Sequence, residues 1–166
     1  DDVRGVRIEA AWGLSASVDT NSLAGRELLE SLESNADQPA GALQLGTFYF
    51  GRGENERALG YFERAVKWDP NSAPFHHALA VCLSVLGNSA RAIEELKIAC
   101  RLAPNDADYF YKLGLALNET GNMKETVAAL KQATEIDPQL SRAWYNLGLG
   151  YSALQQPELA LESLRR

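Results

Sequence analysis

A 34-residue spacing constrains this chain more than any other feature. Leu45-Gly46, Leu79-Ala80, Leu113-Gly114 and Leu147-Gly148 recur at that interval, as do Pro70, Pro104 and Pro138. Between them stand Ala58, Ala92, Thr126 and Ala160, then Phe62, Leu96, Leu130 and Leu164, then Ala65, Ala99 and Ala133. A fixed period of this length means one supersecondary unit used several times, each burying a face only against its neighbours. The apolar positions within a unit fall three and four apart, the spacing of one face of a helix. Each interval between prolines holds two such patterns with a Gly-rich turn between them. The expected fold is therefore all-α, an array of antiparallel helix pairs.

Each column has its own steric duty. The second member of the Leu-Gly column must be small where two helices of a pair cross, and Ala58, Ala92, Thr126 and Ala160 are expected to face that crossing. The Phe62, Leu96, Leu130 and Leu164 column is expected to fill the core between pairs, while Ala65, Ala99 and Ala133 let the next unit approach. Thr126 departs from the alanine pattern, and its hydroxyl is expected to bond back to the preceding turn. The prolines end second helices by forcing the residue before them towards an extended conformation. Gly53, Gly87-Asn88 and Gly121-Asn122 suit a helix exit through a left-handed residue. The fourth unit carries Gln155-Gln156-Pro157 there instead, with Pro157 placed to start a helix. The units run 39–72, 73–106, 107–140 and 141–166, the last stopping inside its second helix. An apolar face left there calls either for more chain or for a partner, including a second copy.

The set Leu45-Gly46, Tyr49, Ala58, Phe62, Ala65 and Pro70 resembles the tetratricopeptide-repeat signature. The likeness runs from Pro39 to the end of the chain. It implies a right-handed α-solenoid of about ten helices, whose first helices line a concave surface that binds peptides or partner helices. The resemblance directs three columns inward: Leu43, His77, Tyr111 and Tyr145; Thr47, Val81, Leu115 and Leu149; and Phe50, Ser84, Asn118 and Ser152. Spacings of four and then three put each set on one stripe of its helix. The surface so formed is apolar and aromatic, with scattered hydroxyl and amide groups. Tyr111 and Tyr145 suit both anchoring a ligand and packing along the wall. One subclass of the family clamps a C-terminal carboxylate with Lys, Asn and Arg. The corresponding places here carry Leu43, Thr47, Ala78, Asp108 and Lys112, of which only Lys112 fits and Asp108 would repel the ligand.

Residues 1–38 lie before the regular array and read as a helical pair that caps it. A first helix is expected over 1–17, with Val3, Val6, Ile8, Ala10, Ala11 and Leu14 as its apolar face and Asp1-Asp2 at its N-terminus. Thr20, Asn21 and Ser22 are candidate caps for a second helix over 23–34, in which Ala24 and Leu28 keep the 34-residue phase. The Val-Arg-x-x-Ala-Ala run near the start resembles the second helix of a HEAT repeat. A HEAT-like helix leading into these repeats is similar to the C-terminal region of some large bacterial proteins that also carry c-type haem domains. No haem motif occurs in this chain.

Charge and reactive side chains narrow the function. The net charge is −6, and residues 1–38 hold Arg4, Arg7 and Arg26 against eight acidic side chains. With no basic stripe, nucleic acid is not the expected partner, and an acidic chain does not favour an anionic membrane surface. No run approaches the roughly 18 apolar residues of a membrane span. The chain reads as soluble, in cytoplasm or periplasm. Cys82 and Cys100 stand alone, without a second cysteine or histidine at ligand spacing. Two buried thiols are expected, with a disulfide in an oxidising compartment as the alternative. His76 and His77 point about 100° apart on a helix and cannot chelate one metal. One packed and one exposed histidine is the expectation. With every glycine explained by a turn or a close approach, no catalytic set, metal site or cofactor is expected. The function then lives on surfaces, as a scaffold for a protein or peptide segment, or as an assembly module that self-associates through the C-terminal helix or docks another domain of a larger protein.

Overall fold

Helix boundaries fall where glycine and proline place them. The computed structural model describes residues 2–166, whose regular elements are ten α-helices. Two units divide them. The first, Asp1–Leu86, holds α1 (Asp2–Gly13), α2 (Leu23–Ser34), α3 (Pro39–Gly51), α4 (Asn55–Trp68) and α5 (Ala73–Val85). The second, Gly87–Arg166, holds α6 (Ser89–Leu102), α7 (Ala107–Glu119), α8 (Met123–Ile136), α9 (Ser141–Ala153) and α10 (Pro157–Leu164). Within each unit every helix packs on the next, and α3 also meets α5. The fold class is all-α, built from antiparallel helix pairs.

The turns obey one geometry. Gly53, Gly87 and Gly121 take φ of 76°, 77° and 76°, the left-handed region that favours glycine. Gln155 occupies the same place in the last pair with φ 58°. The residue after three of these, Glu54, Asn122 and Gln156, donates its N–H to the carbonyl five back, at 3.0 Å in each case. That bond caps the preceding helix. At the other ends, Asp69, Ala103 and Asp137 follow α4, α6 and α8 with φ between −135° and −124°, and the prolines come directly after them.

The core shows where the large residues of the repeat sit. A Cβ on Gly46 would lie 2.7 Å from the Phe62 ring, and one on Gly114 the same distance from Leu130. Phe62 and Leu130 therefore pack against the glycine of their own pair, and Leu130 also joins Ala143 and Leu147 of the next pair in one core cluster. The large residue fills the space that glycine leaves, so the two helices approach through a knob and a notch. Leu164 touches Gly148 likewise, yet it remains half exposed.

The Thr126 hydroxyl differs from expectation. It makes no bond to the preceding turn and has no hydrogen-bond partner among the described residues.

The first helix is shorter than expected and packs on another face. It stops at Gly13, after which Leu14, Ser15 and Ser17 each donate to the carbonyl three residues back. Ala11 is buried and Ile8 half-buried, but Val3, Val6 and Leu14 are exposed. The stripe that meets α2 is Arg4, Arg7, Ile8 and Ala11, which lies to one side of the Val3, Val6 and Leu14 stripe. Arg7 makes a two-pronged ion pair with Glu27, at 2.8 Å on both arms, and Arg4 reaches Glu30 at 3.2 Å. The fork geometry pins the angle between α1 and α2. The Arg7 guanidinium holds the Glu27 carboxyl below its ordinary range, chiefly through that hydrogen bond. Ser22 is the cap of α2, accepting from Gly25 N at 3.1 Å. Asp1 lies outside the described residues.

Candidate interaction surface

Two of the prolines that end second helices also anchor the next first helix. His76 Nε2 donates to the Pro70 carbonyl at 2.9 Å, and Trp144 Nε1 donates to the Pro138 carbonyl at 3.0 Å. Both stand six residues after the proline, and the bond ties the start of α5 or α9 to the turn before it. This engages His76, which is buried, in structure rather than chemistry. His77 is half-buried instead of exposed.

In the first unit, the expected inward stripe comes from α3 and α5. Leu43, Phe50, His77, Val81 and Ser84 are half-buried, and Thr47 is exposed. The Phe50 ring tilts against that of Phe62 at 6.3 Å between centroids, and the Thr47 hydroxyl donates back to the Leu43 carbonyl at 2.8 Å. Large side chains here are partly used in holding α3 to its neighbours.

In the second unit, the two tyrosines part company. Tyr111 is 9 % exposed and belongs to a core cluster with Val127, Leu130, Ala133, Ala143 and Leu147. The Arg142 guanidinium stacks over its ring at 4.7 Å and pairs with Asp108. Tyr145 is 58 % exposed, and Leu149, one turn further along α9, is 47 % exposed. Tyr111 is thus packed into the core, whereas Tyr145 stays exposed. Asn118 and Ser152 are exposed, and Leu115 is half-buried.

Leu115, Asn118 and Leu149 share a cleft of about 200 Å³ between α7 and α9, floored by α8. Its other lining residues are Gly114, Met123, Thr126, Leu130, Asn146, Gly150 and Ala153. Gly150 lets α9 approach α8 closely, since a Cβ there would meet Val127 at 2.8 Å. Sequence reasoning missed Met123, Asn146 and Thr126 as lining residues. Only Thr126 carried a signal, as the one break in the alanine column.

The reactive side chains are quiet. Both thiols are free and buried. Burial pushes Cys82 up, and it pushes Cys100 up to about 11, so neither is a thiolate at neutral pH. Among the described residues no cluster of His, Cys, Asp or Glu is placed to hold a metal, and no helix is long and apolar enough to cross a membrane.

Helix pairs in constant register, with aromatic and aliphatic side chains left exposed on first helices, define a helical-repeat scaffold of the protein-interaction class. The chain is a member of the tetratricopeptide-repeat family. One profile of that repeat matches residues 49–114, and a second matches 107–140 and 141–166. No curated protein matches the chain in sequence. Among solved structures it is similar to the MamA protein, at 25% identity and a TM-score of 0.78 over 86% of this chain and 83% of that one. It is also similar to YrrB, described as a tetratricopeptide-repeat protein with an unusual peptide-binding site, at 25% identity and a TM-score of 0.73 over 93% and 79%. The first repeat domain of Spaghetti (RPAP3), solved with the HSP90 peptide SRMEEVD, shares the fold at 18% identity and a TM-score of 0.68 over 72% and 95%.

Proposed function

We propose that the protein is a non-catalytic scaffold that binds an extended or helical segment of a partner protein across the face made by α7 and α9. The observation that carries this reading is the exposure of Tyr145 and Leu149, one helical turn apart, beside a cleft floored by α8. Water-exposed aromatic and aliphatic side chains beside a preformed hollow are the usual anchors of such contacts. The peptide-binding site ascribed to YrrB and the peptide held by the Spaghetti domain support the same use of this fold. Asp108 argues that the segment does not enter by a C-terminal carboxylate, because an acidic side chain paired with Arg142 stands where that group would need a cation. The α3/α5 face, with Leu43, Thr47, Phe50, His77, Val81 and Ser84, is a second and more filled candidate on the first unit.

The test is a peptide-binding screen of the whole chain, with hits titrated by calorimetry. Tyr145→Ala and Leu149→Ala are each expected to weaken binding by about 1–4 kcal/mol, as for interface anchors. Unchanged affinity in both would sink the reading.

A second reading, self-association or docking of another domain, is favoured by α10. Its Leu159, Leu161 and Leu164 remain exposed, whereas Leu130, one repeat before Leu164, is fully buried. Light scattering over a concentration series tests the self-association form, and a chain monomeric throughout would remove it.

A further inference from the structure

The residue that breaks the alanine column stands at the floor of the α7/α9 cleft. Thr126 is 2 % exposed and lines the cleft, and its Oγ1 has no hydrogen-bond partner among the described residues. A helical hydroxyl ordinarily bonds to a carbonyl three or four residues back. Thr47 reaches Leu43, Ser163 reaches Leu159 and Thr134 reaches Lys131, each at 2.8 Å. Thr126 does not, although its own backbone N–H meets the Asn122 carbonyl at 2.9 Å. The helix is intact there, and only the hydroxyl is left unbonded. Alanine, the residue at the three equivalent places, would carry no unbonded group.

The rest of the lining indicates what would complete that hydroxyl. Leu115, Met123 and Leu149 give apolar walls, and Asn118 and Asn146 bring amides. Asn146 Nδ2 donates to the Arg142 carbonyl at 2.8 Å, which holds its amide in place. No charged side chain lines the cleft, so a charged group entering it would be desolvated without a counter-ion. A purely apolar group would leave the Thr126 hydroxyl unbonded. A volume of about 200 Å³ suits one side chain, below the roughly 300–1,000 Å³ of small-molecule pockets. Oγ1 is closed to solvent, so a neighbour must yield on binding, and unbranched Met123 is the adaptable one.

We propose that this cleft selects one Asn, Gln, Ser or Thr side chain from the bound segment, through a hydrogen bond to Thr126 Oγ1. The proposal rests on the reading of α7 and α9 as the binding face. It makes Thr126 a specificity-determining residue, while Tyr145 and Leu149 supply affinity.

The test is a positional-scanning peptide library, each position held in turn as Gln, Asn, Ser, Thr, Leu, Glu or Lys. It is probed with the whole chain as wild type, Thr126→Val and Thr126→Ala. Circular dichroism and urea unfolding check that the variants are folded. In wild type, one position is expected to prefer an amide or hydroxyl residue over Leu by about fivefold. The isosteric Thr126→Val is expected to erase that preference while binding of the Leu-substituted peptide persists. An unchanged preference in Thr126→Val, or Leu, Glu or Lys as the best residue at every position, would overturn the proposal. Loss of stability in Thr126→Val with selectivity intact would overturn it too, since the hydroxyl would then serve only the fold. Peptide binding lost in Tyr145→Ala but indifferent to Thr126 removes this proposal alone. Binding indifferent to Tyr145 and Leu149 removes the binding face itself.

Discussion

Replacing Gln155 with glycine should stabilise the protein, against the usual expectation for adding a glycine. Gln155 sits at φ 58°, where an L-residue's Cβ crowds the following carbonyl at a cost of about 1–2 kcal/mol. The three equivalent positions, at φ of 76° to 77°, are all glycine. Glycine removes that strain but gives the unfolded chain more freedom, which returns about 0.4–1 kcal/mol. The net gain for Gln155→Gly is thus about 0.5–1 kcal/mol. The reverse change, Gly121→Gln, should lose a similar amount. Because Gln155 joins α9 to α10, the gain is expected first in local opening of that pair. Urea unfolding followed by circular dichroism reads the whole, and hydrogen exchange of α10 amides reads the part. If Gln155→Gly lowers the urea midpoint or leaves α10 exchange unchanged, the argument from backbone strain is wrong.

Further outcomes follow from the buried groups. Tyr111→Ala should cost about 3–5 kcal/mol by urea unfolding, as for a buried aromatic, and Tyr145→Ala should stay within about 0.5 kcal/mol of wild type. Cys100 titrates near 11 when folded and near 9 when exposed, so the folded state holds its proton more tightly. Stability from this group is full below about pH 9 and is lost as pH rises towards 11, since the unfolded chain ionises first. Urea midpoints across that range, under reducing conditions, should fall more steeply for wild type than for Cys100→Ala.

Much of this was legible in the sequence because the repeat imposes one answer four times. The turn at Gly53, the proline after Asp69 and the notch at Gly46 each follow from local backbone or steric rules, and the 34-residue interval multiplies the signal. Residues 1–38 lack that support. Val3, Val6, Leu14 and Ile8 look like one apolar face in a list, yet the helix turns the first three away from α2. Arg7 and Glu27, 20 residues apart, decide the contact, and no periodicity links them.

The candidate site was legible as a set of helix positions but not as a surface. Tyr111 and Tyr145 are equivalent by spacing, and nothing in the chain alone separates them. Arg142 and the α8 side chains Val127 and Leu130 cover the first. Thr126 was visible as an exception, but its hydroxyl was expected to find its own backbone, the ordinary local outcome.

The sequence by itself determined the family, the helix pairs and the turn conformations, because all of these depend on interactions within some five residues or on a regular repeat. Tertiary structure alone decided which tyrosine is buried, which face of α1 packs, where a cleft opens and which hydroxyl goes unbonded. Those depend on what other helices bring to each position, and burial is a property of neighbours in space rather than of neighbours in the chain.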